Sequence, residues 1–354
     1  MTSRAGQLSS QRYRLPNGGR VNRQRPLTFT FDGKRRQGYE GDTVASALLA
    51  NGVCLVGRSF KYHRPRGIVG SGPEDPNTLL QIGKGARSTP NLRSTEVEVY
   101  EGLEARSVNT WPSANRDIGA AFGLLSRVLA PGFYYKTFMW PRRMWKKYEY
   151  FIRRSAGLGV ASKEPDPPDL YQYDRMNAHC DVLVVGGGPS GLAAALEAGR
   201  TGARVILADE QVEFGGNLLG GRQLIDGAPA LEWVAAAVAE LSAMEEVRLL
   251  VRSTVTGYYD HNFLTILQRV TGHPQAAGDG PKERVWRVRA RQVIIAAGSI
   301  ERPLVFPNND RPGIMLASAV STYVNRYAVA PGRRALIFTN NDSAYQTALD
   351  LLDS

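Results

Sequence analysis

Between Leu27 and Glu40, apolar and polar positions alternate in "LTFTFDGKRRQGYE", two short runs about an Asp32-Gly33 pair, which predicts a β-hairpin. The pattern then changes period. In "DTVASALLANGV" the apolar residues Val44, Leu48 and Leu49 share a helical face, with Asp42 or Thr43 as N-cap. "STEVEVYEG" returns to strict alternation and predicts a strand closing the module. Further along, "DVLVVG" is a continuous apolar run of the kind found in a buried parallel strand. "PSGLAAALEAGRTG" reads as the helix after it, and "ARVILADE" as a second strand. "APALEWVAAAVAELSAM" predicts another helix, and "EVRLLVRSTVTGYYD", "FLTILQRV" and "ERVWRVRARQVIIAAG" predict more strands. "RRALIFTNNDSAYQTALDLL" opens a second strand–helix unit near Arg334, inside whose helix the sequence stops; a truncated protein is the expectation.

These elements divide the chain. A flexible N-terminus is expected over 1–26, an α+β module over 27–105, a connector over 106–175 and an α/β domain over 176–354. Hairpin, helix and later strand are the parts of a plant-ferredoxin-like half-barrel. In that fold, cysteines on the loop after the helix hold an iron–sulfur cluster. Here the loop is "GRSFKYHRPRGIVGSG", with no cysteine; Cys54 stands alone before it, and one thiolate cannot hold a cluster. The expectation is a scaffold without its metal.

Composition narrows the class. With 354 residues, 43% hydrophobic and 22% charged, the chain has room for two globular cores. No apolar run approaches bilayer length and no signal-peptide pattern opens the chain. Six arginines precede the first acidic residue, Asp32, without the amphipathic face a transit peptide needs. The two cysteines, Cys54 and Cys180, exclude a disulfide framework and suggest a reducing, cytoplasmic compartment. The net charge of +11 suits acidic partners, yet the basic residues are spread out and no nucleic-acid-binding signature accompanies them. The connector "FYYKTFMWPRRMWKKYEYFIRRSAGLG" interleaves aromatic and basic residues. Such a segment binds single strands in some proteins and lies on another subunit in others; the second is expected here. "SKEPDPPDLY" reads as a proline-rich linker.

The candidate chemistry centres on "VVGGGPSG". Gly186 permits a tight turn, Gly188 lets the backbone approach phosphates, and Gly191 brings helix to sheet. Pro189 and Ser190 begin the helix whose amides face a pyrophosphate. Asp209 ends the second strand, where a carboxylate accepts bonds from ribose hydroxyls and repels a 2′-phosphate; NAD or FAD is favoured over NADP. "EFGGNL" adds a second glycine turn at Gly216 and Asn217. "VIIAAGSIERP", with Gly298, resembles the loop that returns beside the nucleotide in two-dinucleotide, glutathione-reductase-like flavoproteins, and Val255 of "STVTGYY" is the candidate adenine contact. The second turn, "FTNNDSAY", has Asn340 to Ala344 where glycines belong, so a pyridine-nucleotide site there is not expected. Ser190 is no nucleophile elbow, because Leu192 stands where glycine is required. His63, His179, His261 and His273 show no metal spacing, and no CxxC pair exists. No catalytic acid, base or metal ligand is assigned. What hangs from the pyrophosphate stays open on these residues: a flavin, a nicotinamide, or a nucleotide that only holds the fold.

Taken together, "RLPNGGRVNRQRPLTFTFDGKRRQGYEGDTVASALLANGV", "GRSFKYHRPRGI", "FYYKTFMWP", "ADEQ" and "ERPLVFPNNDRPGIMLASAV" resemble the alpha subunit of heterotetrameric sarcosine oxidases, from about Arg14 onward. The resemblance implies NAD bound in this chain by Ser190, Asp209, Glu210, Gln211, Asn217 and Val255. It implies FAD and FMN elsewhere in the complex, with beta, gamma and delta subunits as partners. It also implies a folate-binding, aminomethyltransferase-like half that these residues do not include, through which tetrahydrofolate would act. Sarcosine would be oxidised on another subunit. The alternatives are an FAD-binding subunit of an opine, proline or amine dehydrogenase, and a non-catalytic scaffold stabilised by its nucleotide.

Overall fold

The computed structural model describes residues 11–125, 132, 140–165, 173–270 and 281–354. The chain divides into two compact units, residues 1–164 with 301–354, and residues 165–300. The single domain expected over 176–354 is therefore split: its last part packs with the first unit.

In the first unit, β1 (Asn22–Phe31) and β2 (Lys34–Glu40) form the expected hairpin. Asp32 and Gly33 both take positive φ, as a two-residue turn of that hand requires. With β3 (Leu79–Ile82), β4 (Thr89–Arg93) and β5 (Glu104–Ser107) they make a five-stranded sheet in the order β2-β1-β5-β3-β4. Helix α1 (Val44–Ala50) is buried on every side, capped by the Thr43 hydroxyl accepting from the Ser46 N–H at 3.2 Å. The strand expected over Ser94–Gly102 does not form. Its backbone instead serves the helix: the Val44 N–H donates to Val97 O, the Ala45 N–H to Ser94 O, and the Val99 N–H to Asp42 O. β5, a few residues later, closes the sheet. Residues 11–26, expected as part of a flexible N-terminus, are instead tied into this unit. Strand β1 starts at Asn22, and Arg14 is fastened to the buried Asp42 at 2.6 and 3.1 Å. Residues 1–10 and most of the connector's aromatic run lie outside the described residues. The connector's helix α2 (Trp145–Ala156) is described, and it leaves Trp145 and Phe151 exposed.

In the second unit, β6 (Tyr173–Val185) leads into α3 (Pro189–Arg200), β7 (Val205–Ala208), α4 (Ala230–Ala243) and β8 (Val247–Leu250). Strands β9 (Ser253–Tyr259), β10 (Phe263–Arg269) and β11 (Glu283–Ile295) complete a six-stranded sheet, ordered β8-β7-β6-β11-β10-β9. The strands β8, β7, β6 and β11 run parallel; β10 adds antiparallel to β11, and β9 pairs antiparallel with β10 at the sheet edge. Strand β6 starts eight residues before the expected "DVLVVG" run because Tyr173–Cys180 pair in register with Glu283–Ala290. The predicted "EVRLLVRSTVTGYYD" strand breaks in two around Arg252, whose φ is +51°.

The last part of the chain, in the first unit, contains α5 (Ala317–Asn325) and α6 (Ser343–Asp353). The strand expected near Arg334 is absent. Leu336 is 95% exposed and no described strand pairs with this segment, and a parallel strand cannot form without a ladder partner. The helix after it packs on α5 instead, with Ser321 Oγ donating to Thr347 Oγ1 at 3.0 Å and Asn325 to Asp350 at 3.0 Å.

Candidate functional site: a double glycine turn

The loop from β6 to α3 is shaped by contacts that exclude side chains. Gly186 has φ +101°, and a Cβ there would lie 2.4 Å from Ala296 O. A Cβ on Gly187 would meet the Phe214 ring at 2.2 Å, and one on Gly191 would sit 1.8 Å from Gly186 O. These three glycines are demanded by the protein's own packing. Gly188 is different: its nearest neighbour would be Gly216 Cα at 3.8 Å, an ordinary contact. Packing alone does not call for glycine there. A group approaching the backbone from outside would, as a pyrophosphate cradle requires. Helix α3 starts at Pro189 with no capping side chain, so its first amides have neither an intrahelical acceptor nor a capping one.

Asp209 follows the last residue of β7 and is buried, at 8% exposure. Its Oδ2 accepts the Gly187 N–H at 2.6 Å, and its Oδ1 accepts the Gln211 N–H at 2.7 Å. The carboxylate thus clips the glycine turn to the end of the neighbouring strand. Each oxygen keeps a second lone pair. Glu210 and Gln211 follow, both half-buried, and Gln211 O accepts the Arg252 N–H at 2.7 Å.

The second glycine turn touches the first. The Gly215 N–H donates to Gly187 O at 2.8 Å, and a Cβ on Gly216 would lie 2.8 Å from Gly188 Cα. Gly186 to Gly191, Asp209 to Gln211 and Gly215 to Asn217 therefore form one continuous surface, on which Pro189, Ser190 and Asn217 are exposed. Gly298 lies in the exposed turn after β11, whose Ala296 N–H bonds Val185 O at 2.7 Å beside Gly186. Val255 is farther out, half-buried on β9, whose first residue donates its N–H to Asp209 O at 2.7 Å. Sequence reasoning missed Phe214 and Ala296, which fix the turn. In "EFGG" the glycines carry the turn signal, while the aromatic beside them supplies the packing.

Reactive groups are scarce in this unit. Burial, with the nearby Asp181 charge, pushes the Cys180 thiol up to about 11, so it stays protonated at neutral pH. Among the described residues no group of three His, Cys, Asp or Glu side chains could hold a metal.

Comparison with known proteins agrees with this division. Residues 24–110 match the family described as a 2Fe-2S iron-sulfur cluster binding domain, and residues 181–278 match the FAD dependent oxidoreductase family. The chain is 56% identical over 341 residues, 96% of its length, to the sarcosine oxidase subunit alpha of Rhizobium meliloti (strain 1021), of which it covers 34%. It is 42% identical to that of Corynebacterium sp. (strain U-96), covering 95% of this chain and 30% of the relative. The chain thus spans about a third of the length of the curated relatives it matches. L-proline dehydrogenase from P. horikoshii shares the fold, with a TM-score of 0.61 at 20% identity over 96% of this chain and 54% of that one.

Proposed function

We propose that this chain, similar along 96% of its length to about a third of a sarcosine oxidase alpha subunit, is the dinucleotide-holding part of such a subunit. The observation that carries the reading is the double glycine turn. It combines a glycine at 188 that packing does not require, helix amides without a cap, and a carboxylate at the end of the next strand. In this reading the Ser190 and Gly191 amides face the pyrophosphate, while Asp209 and Glu210 face the adenosine ribose. Gln211, Asn217, Val255 and Gly298 complete the surround. The nucleotide is NAD, because a carboxylate at 209 disfavours a 2′-phosphate and the resemblance assigns NAD to this chain. Sarcosine is oxidised to glycine and hydrogen peroxide by residues of another subunit, at FAD and FMN, with the one-carbon unit passing to tetrahydrofolate. Beta, gamma and delta subunits are the partners, in the cytoplasm.

A second reading, FAD in this chain, is favoured by the match of residues 181–278 to FAD dependent oxidoreductases. Denaturing the purified full-length protein and chromatographing the released nucleotide separates the two. One NAD per chain is expected. One FAD per alpha chain, beyond the flavin of the partner subunits, would replace the first reading with the second, and no dinucleotide at all would overturn both.

A further inference from the structure

The first unit has the sheet and helix of an iron–sulfur module, and residues 24–110 match that family, yet the donor set does not fit a cluster. A two-iron cluster needs four thiolate or imidazole ligands. Residues 57–78 contain no cysteine and one histidine, and no metal-competent group of three exists among the described residues. Cys54, just before the loop, has its thiol pushed up by burial, away from the thiolate that iron binds.

The loop amides converge on something else. Asp75, buried at 1% exposure, accepts four backbone N–H groups: Val69 at 2.7 Å and Gly70 at 2.9 Å on Oδ2, Asn77 at 2.9 Å and Thr78 at 3.0 Å on Oδ1. Glu74 Oε1 accepts Ser71 at 2.6 Å and Gly72 at 3.0 Å. Gly70 and Gly72 wrap the second carboxylate closely: a Cβ on either would lie 2.4 or 2.8 Å from a Glu74 oxygen. Six amides within ten residues thus surround two fixed negative charges.

The outer side of the same loop is occupied by the chain's later residues. The Leu316 N–H donates to Val69 O at 2.9 Å, and the Tyr323 hydroxyl donates to Gly70 O at 2.9 Å. Arg64 and Arg66 grip Asp310 at 2.8 and 2.9 Å, and a Cβ on Gly67 would strike Pro312 Cα at 2.6 Å. Tyr323 is fully buried; burial first, then the Asp75 charge, raises its phenol well above the usual value, so it remains a donor.

We infer that Asp75 and Glu74 have taken over the structural task of a cluster, gathering the loop amides about a fixed anion, and that the loop is the seat for residues 310–327. An iron–sulfur cluster is an anion whose sulfurs accept backbone N–H groups; two carboxylates accept the same groups without iron and without a redox couple. The module is a clamp, and it carries no electrons. This role does not depend on which nucleotide the second unit holds.

The test is hydrogen exchange by mass spectrometry on the full-length wild-type protein and on Asp75→Asn and Glu74→Gln, with iron and sulfide analysis of anaerobically prepared wild type. Asparagine turns one acceptor oxygen into a donor facing backbone N–H groups. Asp75→Asn is therefore expected to speed exchange at least tenfold in peptides covering both 67–78 and 312–323. Glu74→Gln is expected to give a smaller acceleration confined to 70–73. Wild type is expected to hold no stoichiometric iron or sulfide. Unchanged exchange in both segments of Asp75→Asn, or stoichiometric iron and sulfide in wild type, overturns the inference. Should Asp75→Asn not accumulate as folded protein, Glu74→Gln decides: unchanged exchange at 70–73 overturns it.

Discussion

Gly188 and Gly191 belong to the same motif, yet they answer to different constraints. A Cβ at 191 would lie 1.8 Å from Gly186 O, so Gly191→Ala overpacks the turn itself. It is expected to cost about 1–3 kcal/mol with or without nucleotide, measured by denaturant unfolding. A Cβ at 188 meets nothing closer than 3.8 Å. Gly188→Ala is therefore expected to leave the nucleotide-free protein nearly as stable as wild type while NAD affinity falls at least tenfold in calorimetry. Equal destabilisation by both substitutions would remove the argument that 188 is shaped for a ligand. Asp209 is a second case of a residue with more than one duty. Because its oxygens already hold the Gly187 and Gln211 amides, Asp209→Asn should weaken the turn and the site together. The expected loss is about 1.5–3 kcal/mol, the worth of a charge-assisted hydrogen bond. A ribose contact alone would lower affinity and leave the melting temperature of the nucleotide-free protein unmoved.

Strands β6 and β7 are tied at one end by Asp181, which accepts from Arg204 Nε and Nη2, each at 3.0 Å, and from the Arg204 N–H at 3.1 Å. These bonds pull the Asp181 carboxyl down to about 2 from an ordinary 3.8. A folded-state pKa below the unfolded value means that the pair supports folding above about pH 3.8, and that this support is lost as pH falls through about 2. An NMR titration should find Asp181 half-protonated near pH 2, and Arg204→Met should move that midpoint up toward the ordinary value. Helix α2 presents a different element-scale case. It exposes 39% of Trp145 and 67% of Phe151, on different sides of the helix, among Lys146, Lys147, Arg153 and Arg154, a mixed aromatic and basic surface suited to an acidic, partly apolar partner. Replacing Trp145 and Phe151 with Ser should leave the melting temperature of the chain unchanged and abolish co-purification with the proposed partner subunits. Retention of the partners would argue against α2 as their contact.

At the scale of the molecule, the two units have separate cores: one built on α1 and the first sheet, the other on the parallel strands and α3 and α4. A ligand that binds only the second should stabilise that unit by mass action, about 2.7 kcal/mol at a hundredfold excess over Kd. Hydrogen exchange of Val205–Ala208 should then slow markedly on adding NAD, while Val44–Ala50 in the first unit should not respond. Equal protection of both segments would contradict a site confined to residues 181–298.

Much of this was written in local chemistry. The Asp32-Gly33 hairpin, the capped helix at Thr43 and the strand–glycine–helix order around Val184 are decided within a few residues by turn propensity, capping and apolar period, so the sequence alone specified them. The glycine spacing likewise marked the dinucleotide turn, and the absence of cysteine between Gly57 and Gly72 was legible there too. Tertiary structure decided what depended on distant partners. Alternation at Thr95–Val99 promised a strand, but the nearest unpaired amides belonged to α1. Apolar character near Arg334 promised another, and no neighbouring strand offered a ladder. Asp209 finds Gly187 across 22 positions of sequence, and Tyr323 finds Gly70 across 253. Periodicity reports which face of a segment is apolar; which backbone groups remain unsatisfied, and what reaches them, is settled only when the whole chain is folded.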